Sequence, residues 1–242
     1  MSDPTIELRP FGSLGAANHG WLDAHHHFSF ADYRDPARDQ WGALRVWNDD
    51  AIAPKSGFPP HPHRDMEIIT YVRKGAISHR DSLGNEGRTG AGDVQVMSAG
   101  TGIQHAEFNL EDEECRLFQI WILPDARGAA PSWGTRPFPR DDRAGAFVPL
   151  ASGLPGDEAA LRINARARVL GAMVRAGGSV THATGPERHL YLVPATGRVR
   201  IAATEGGAQV EAGARDGVAI TGTGAITVTA LEDAELVLVD AS

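Results

Sequence analysis

The sequence predicts an all-β protein of two barrel or sandwich domains in tandem, and three features predict it. Short runs rich in β-branched and aromatic residues recur at near-regular spacing between glycine turns. Apolar residues alternate within these runs at a period of two, with almost no helical periodicity. A stretch from Pro124 to Arg143, carrying Pro131, Pro137 and Pro139 with Gly128 and Gly134, breaks the pattern. Proline is disfavoured inside a sheet, so this stretch is expected to connect two halves, a domain at 1–140 and a smaller one at 141–242. A chain of 242 residues can bury both cores without staples.

Taken in order, Ile6-Glu-Leu8 reads as a first strand, followed by a glycine-punctuated segment reaching His25-His26-His27. Adjacent strand residues alternate faces, so these three histidines cannot converge on one ion; the cluster is structural, with His26 near a pocket rim as a candidate substrate contact. Asp32 to Gln40 reads as a polar loop and Gly42 to Asn48 as a strand. Further strands are expected over Glu67–Arg73, Ala76–Arg80, Asp93–Ser98, Ile103–Asn109 and Arg116–Leu123, with Ser82-Leu-Gly84-Asn85 as a hairpin tip. Glu111 to Glu114 is a solvated acidic loop. Beyond the connector, Phe147–Pro149, Leu161–Ala165, Val169–Val174, His189–Pro194, Gly197–Ala202, Gly217–Thr221 and Leu236–Val239 repeat the strand pattern.

Chemistry concentrates between His61 and Asn109. His61 and His63 form one pair, His105 and Glu107 another, each in strand-like context. Because strand side chains repeat every second residue, each pair projects to one face, and two inward-facing strands can bring four ligands to one point. One His-x-His is an ordinary turn feature; two spaced pairs flanked by strand and glycine signals favour a metal site. Three imidazoles and a carboxylate suit Fe, Ni, Cu, Co or Mn, whereas a structural zinc more often recruits thiolates. Four protein ligands in an octahedral shell leave two open positions for substrate or O2. Arg64 is a candidate for orienting an oxygen-rich substrate, or a surface ion-pair residue. Glu67 is a candidate support for a ligand histidine, or a partner of Arg64 or Arg80.

Composition narrows the function classes. The formal net charge of −8, with Lys and Arg scattered, gives no footprint for nucleic acid. The single cysteine, Cys115, excludes an internal disulfide framework and fits a reducing compartment. Asp3, Glu7 and Arg9 interrupt any apolar leader after Met1, and no apolar run approaches the ~20 residues of a membrane span. The expectation is a soluble, cytoplasmic protein with no membrane association. All aromatic residues but Tyr191 fall by Phe147, and all histidines but His182 and His189 by His105. An aromatic pocket with metal chemistry can therefore be furnished only by the first half. His182 and His189 are separated by an odd step with no matching His-x-Glu, so the second domain is expected to be metal-free.

Gly57, His61, His63, Glu67 and Gly75 resemble the first cupin motif, and Gly92, Gly100, His105 and Asn109 the second, with the last histidine two residues later than usual and Glu107 following it. His61-Pro-His-Arg-Asp-Met-Glu67, His79-Arg-Asp-Ser-Leu-Gly84, Gly92-Asp-Val-Gln95 and Met97-Ser-Ala-Gly-Thr-Gly-Ile-Gln-His-Ala-Glu107 resemble the pirin family, in particular its bacterial members with quercetinase activity. Gly20-Trp-Leu22, Phe28 to Tyr33, Gly42 to Val46 and Phe118 to Pro124 extend the resemblance over about the first 140 residues. It implies a bicupin, two double-stranded β-helix barrels, with a second domain lacking metal ligands. It further implies one divalent transition metal on His61, His63, His105 and Glu107, with Glu67 not a ligand. Fe(II) leads, with Ni, Cu, Co, Mn or Zn also compatible.

The implied activity is dioxygenation of quercetin or a related flavonol with release of carbon monoxide, Glu107 taking the flavonol proton. The alternative is a metal-bearing, redox-responsive regulatory protein that binds another protein; a cupin-type isomerase ranks lower, because fold does not fix function.

Overall fold

The computed structural model describes residues 4–204 and 207–242; Met1 and Asp3, invoked above for the start of the chain, lie outside them. The protein is all-β. Among the described residues the helical turns are Phe11–Ser13, Pro36–Arg38 and Arg140–Arg143, each a short 3-10 turn.

The chain divides into two compact units whose boundaries differ from those expected at 140/141. The first unit is Gly15–Pro139 with Ala151–Arg166; the second takes the described residues up to Leu14, Arg140–Leu150 and Ala167–Ser242. The reason is visible in the pairing. Strand Thr5–Arg9 runs antiparallel to Gly217–Thr221, from Thr5 opposite Thr221 to Arg9 opposite Gly217. Ile6 and Leu8, two apart and so on one face, pack on the second unit's core of Leu170, Leu190, Leu192, Ile220, Leu236 and Leu238. Conversely, Asn164 accepts a hydrogen bond from Asp125 N (2.9 Å) and so belongs with the first unit.

The first unit consists of two antiparallel sheets. The larger runs in the order Ser132–Arg136, Val94–Ser98, Glu67–Lys74, Cys115–Ile122, Leu44–Ile52, Leu22–His26, Gly15–Asn18. The smaller runs Ser56–His63, Ile103–Asn109, Ala76–Asp81, Glu86–Gly90. Leu22, Ala24, Ile52, Val72 and Leu117 from the larger sheet and Ile77 from the smaller form one buried cluster, so the sheets face each other across a shared core.

Prolines behave differently from the simple expectation in two places. Ser56–His63 contains Pro59, Pro60 and Pro62 yet is a paired strand, because it lies at the sheet edge and needs donors on one side only. Within the stretch expected to be a connector, Ser132–Arg136 forms an edge strand on Val94–Ser98. Its ladder occupies the residues between Pro131 and Pro137, which stay outside it.

Gly57 sits opposite Phe108 in the pairing of Ser56–His63 with Ile103–Asn109. A Cβ there would overlap the Glu107 carbonyl oxygen and Phe108 Cα, both backbone atoms with no freedom to move aside. Gly57→Ala should therefore push these two strands apart. The expected loss is about 1–3 kcal/mol of unfolding free energy in a denaturant titration, with reduced metal uptake; an unchanged midpoint would show that the strands do not approach this closely.

Candidate metal centre and cavity

Register builds the site. In the pairing of Ser56–His63 with Ile103–Asn109, Ile103 faces His63 and His105 faces His61, and an irregularity then sets Glu107 opposite Phe58. The extra residue falls at the Pro59–Pro60 side, where a bulge shifts the pairing without disturbing the His61–His105 pair. The ring nitrogens of His61, His63 and His105 lie within 4.8 Å of one another, with His61 Nε2 and His105 Nε2 3.0 Å apart. Glu107 lies in a second such group with His79 and His105. His105 is thus common to both groups: it stands with His61 and His63 in one and with Glu107 and His79 in the other.

Each imidazole is oriented by what surrounds it. His61 Nδ1 is 2.8 Å from the Pro59 carbonyl oxygen, an acceptor, so Nδ1 carries the proton and Nε2 presents its lone pair. His79 Nε2 lies 3.0 Å from Asp81 Oδ2, which makes His79 Nδ1 the acceptor in its 3.4 Å contact with His105 Nδ1. His105 Nε2 is then left free to bind. Asp81 is itself pinned by Leu83 N, Asn85 N and Asn85 Nδ2 at 2.9–3.1 Å, so the Ser82–Asn85 hairpin tip anchors the chain. Trp133 stacks on His79 with ring centres 4.7 Å apart and planes at 7°. It can do so because Gly87 leaves room; a Cβ there would run into the Trp133 ring. His63 meets the edge of Trp121 at 5.0 Å.

Glu107 is 3 % exposed and its carboxylate is cradled by neutral donors. Oε1 accepts from Gln95 Nε2 (2.5 Å) and from Thr70 Oγ1 (3.4 Å), and Oε2 from Gln119 Nε2 (2.8 Å). Burial raises its pKa above the ordinary glutamate range, with His79 and the Gln119 hydrogen bond pulling the other way. Burial, reinforced by neighbouring imidazoles, lowers His63 to about 4 and His105 to about 2. These two rings are therefore neutral donors at physiological pH. Neutral imidazoles beside a carboxylate form a set that fits a borderline divalent ion, and no thiolate competes: Cys115 is buried in the apolar cluster and its thiol is pushed up to about 12.

The site opens into a cavity of about 500 Å³ between the two sheets of the first unit. Trp21, Phe30, Phe58, Ile68 and Trp121 supply apolar wall, and Asn48, Asp50 and Gln119 polar points on the larger sheet. His26, expected at the rim, lines the wall, 4 % exposed and bonded through Nδ1 to Asn48 Oδ1 at 2.8 Å.

Two sequence candidates fall elsewhere. Arg64 is exposed just past the end of Ser56–His63, in a surface depression lined by Pro62, His63, Ser82 and Gly102, and it is not among the residues of the aromatic cavity. Glu67 is buried against Ser98 Oγ (2.6 Å) and Asn164 Nδ2 (3.2 Å), so it supports neither a ligand histidine nor Arg64 or Arg80. Four groups that sequence reasoning passed over, His79, Asp81, Gln95 and Gln119, hold the ligands in place. For Gln95 and Gln119 the available signal was a polar residue inside an apolar strand run, Val94-Gln-Val96 and Phe118-Gln-Ile120.

The low imidazole pKa values fix the sign of one acid effect. An unfolded histidine titrates near 6.5, so below that pH the unfolded chain takes up a proton that folded His105 does not, and stability falls as pH drops. For His63 this contribution is lost over the window from 6.5 down to about 4; for His105 it extends further, to about 2. In metal-free protein, His105→Gln should therefore show a shallower decline of unfolding free energy between pH 6.5 and 4 than wild type. Parallel curves would mean that His105 is not held neutral.

Similarity to known proteins extends over nearly the whole chain. Residues 8–122 match the Pirin family model, and residues 150–241 match a model described as quercetinase C-terminal cupin domain. A pirin-like protein of Caulobacter vibrioides is 62% identical over 98% of this chain and 100% of its own length. The quercetin 2,3-dioxygenase of Escherichia coli K12 is 39% identical over 97% of this chain and 98% of its own length. The crystal structure of the bacterial pirin YhhW from Escherichia coli in complex with nickel(II) superposes with a TM-score of 0.89 at 38% identity, covering 98% of this chain and 99% of that one. Two cupin-type domains and full-length relatives of this similarity establish that the chain belongs to the pirin family.

Proposed function

We propose that His61, His63, His105 and Glu107 hold one divalent transition metal ion, Fe(II) in the first place, and that the protein is a dioxygenase acting on quercetin or a related flavonol. The observation that carries this reading is a group of three imidazoles, His61, His63 and His105, with the cradled Glu107 carboxylate beside His105 on the wall of the same aromatic cavity. Its support from relatives is the full-length similarity to a protein named quercetin 2,3-dioxygenase and to a pirin crystallised with nickel(II).

The bound ion would supply Lewis acidity, lowering the pKa of the flavonol 3-hydroxyl, and open positions for substrate and O2. The chain's own residues do the rest. The proton from the 3-hydroxyl passes to a Glu107 carboxylate oxygen, whose basicity is raised by burial and whose position is fixed by Gln95 and Gln119. Trp21, Phe30, Phe58 and Trp121 match a flat aromatic substrate and keep bulk water from the opened ring. The overall reaction balances as flavonol plus O2 giving a depside plus carbon monoxide.

The test is O2 consumption and carbon monoxide release by protein loaded with Fe(II), Ni, Co, Mn or Cu in turn, over a flavonol panel. Glu107→Gln, compared at matched metal content, should lower turnover by about 10²–10⁴ while retaining the ion. Equal turnover would remove the base role. Metal-loaded wild type inert toward every flavonol would remove the dioxygenase reading.

A further inference from the structure

Asp50 is a buried acid that nothing so far employs. It is 3 % exposed and lines the cavity, yet its Oδ1 is buried without a hydrogen-bond partner. Its strand neighbour Asp49, turned to the opposite face, is paired with Arg73; no ion pair reaches Asp50 among the described residues. Its cross-strand neighbours are Ala24 and Leu117, which cannot hydrogen-bond through their side chains. The structure also fixes its side of the cavity. Asp50 stands on Leu44–Ile52 of the larger sheet, whereas His61, His63, His105 and Glu107 stand on the smaller one. On the same cavity wall, Trp121 carries a second buried polar atom, its indole Nε1, with no partner.

A buried carboxyl oxygen left unsatisfied destabilises a fold, and one that faces a cavity is open to completion by what the cavity binds. Burial, together with Asp49 and Glu107, raises its pKa well above the usual carboxylate range. A carboxyl oxygen accepts a hydrogen bond from a phenolic hydroxyl, and the orphaned Oδ1 in the cavity wall is such an acceptor.

We infer that Asp50 is a specificity residue that hydrogen-bonds a ring hydroxyl of the bound substrate, a hydroxyl other than the one engaged at the metal. This rests on the flavonol reading above and adds to it that the preferred substrates are polyhydroxylated. Asp50 selects among flavonols, while the metal end handles the 3-hydroxyl common to all of them.

The experiment measures anaerobic binding of two probes, quercetin and 3-hydroxyflavone, to metal-loaded wild type, Asp50→Leu and Asp50→Asn, with melting temperature and metal content recorded alongside. Asp50→Leu should weaken quercetin about tenfold, the size of one lost hydrogen bond, and leave 3-hydroxyflavone within about twofold. Asp50→Asn, which keeps a donor and an acceptor, should retain part of the quercetin preference. Metal content should be unchanged in both variants, and Asp50→Leu should melt no lower than wild type, since an unsatisfied buried polar group has been removed. A lower melting temperature with both flavonols weakened alike would mark Asp50 as structural and overturn the inference, as would unchanged quercetin affinity. If wild type binds neither probe, the flavonol reading fails and this inference with it, an outcome distinct from failure in the variants alone.

Discussion

The structure depends on one strand pairing, in which His61 sits directly opposite His105 and a bulge beside Pro59 and Pro60 carries the register past Glu107. A slip of one residue would turn every donor to the other face of the sheet. Several features hold that register: Gly57, which lets the backbones close; the edge position, which tolerates three prolines; and the second neighbour strand, which sets Asp81 opposite His105 and His79 opposite Glu107. The same hydrogen-bonded ladder thus places both the proposed ligands and the groups that orient them. The site is a property of a rigid sheet and not of loops, which is what a metal centre with directional donors requires.

Around this ladder the protein balances stability against readiness to bind. Burial keeps His63 and His105 neutral, and so ready to donate lone pairs, but it also raises Glu107 and Asp50. Glu107 is compensated by hydrogen bonds from Gln95, Gln119 and Thr70, whereas Asp50 Oδ1 has no hydrogen-bond partner. Uncharged amide donors satisfy the carboxylate without the fixed positive charge that would compete with a cation for it. The asymmetry between the two acids separates a group stabilised for work at the metal end from one awaiting a ligand.

Much of this was legible in the sequence, for a stated reason. Period-two spacing made His61/His63 and His105/Glu107 visible as pairs sharing a face, and glycine punctuation marked the strands around them. What the sequence concealed was non-local. Nothing near Ile6 and Leu8 shows that their strand is completed by Gly217–Thr221, more than two hundred residues away. The stretch 124–143 looked like a connector because Pro131 and Pro137 are conspicuous, while the five residues between them pair with Val94–Ser98. Arg64 was attractive through adjacency to His63, but the strand ends at His63 and Arg64 lies exposed outside the cavity. His79 and Asp81 were hidden in a run that reads as an ordinary strand, and only cross-strand pairing brings them behind His105 and Glu107.

The central claim is that one ion is held by three imidazoles and one carboxylate contributed by two paired strands. The most direct measurement is X-ray absorption at the metal edge of protein titrated to saturation, with wild type and His105→Ala compared and bound metal counted per chain. The account predicts one ion per wild-type chain with three imidazole ligands and oxygen donors. In His105→Ala it predicts sharply weaker binding and, in whatever fraction stays loaded, two imidazoles. Undiminished binding in His105→Ala with an unchanged imidazole count would contradict it, because the ion would then lie away from the pairing of His61 with His105.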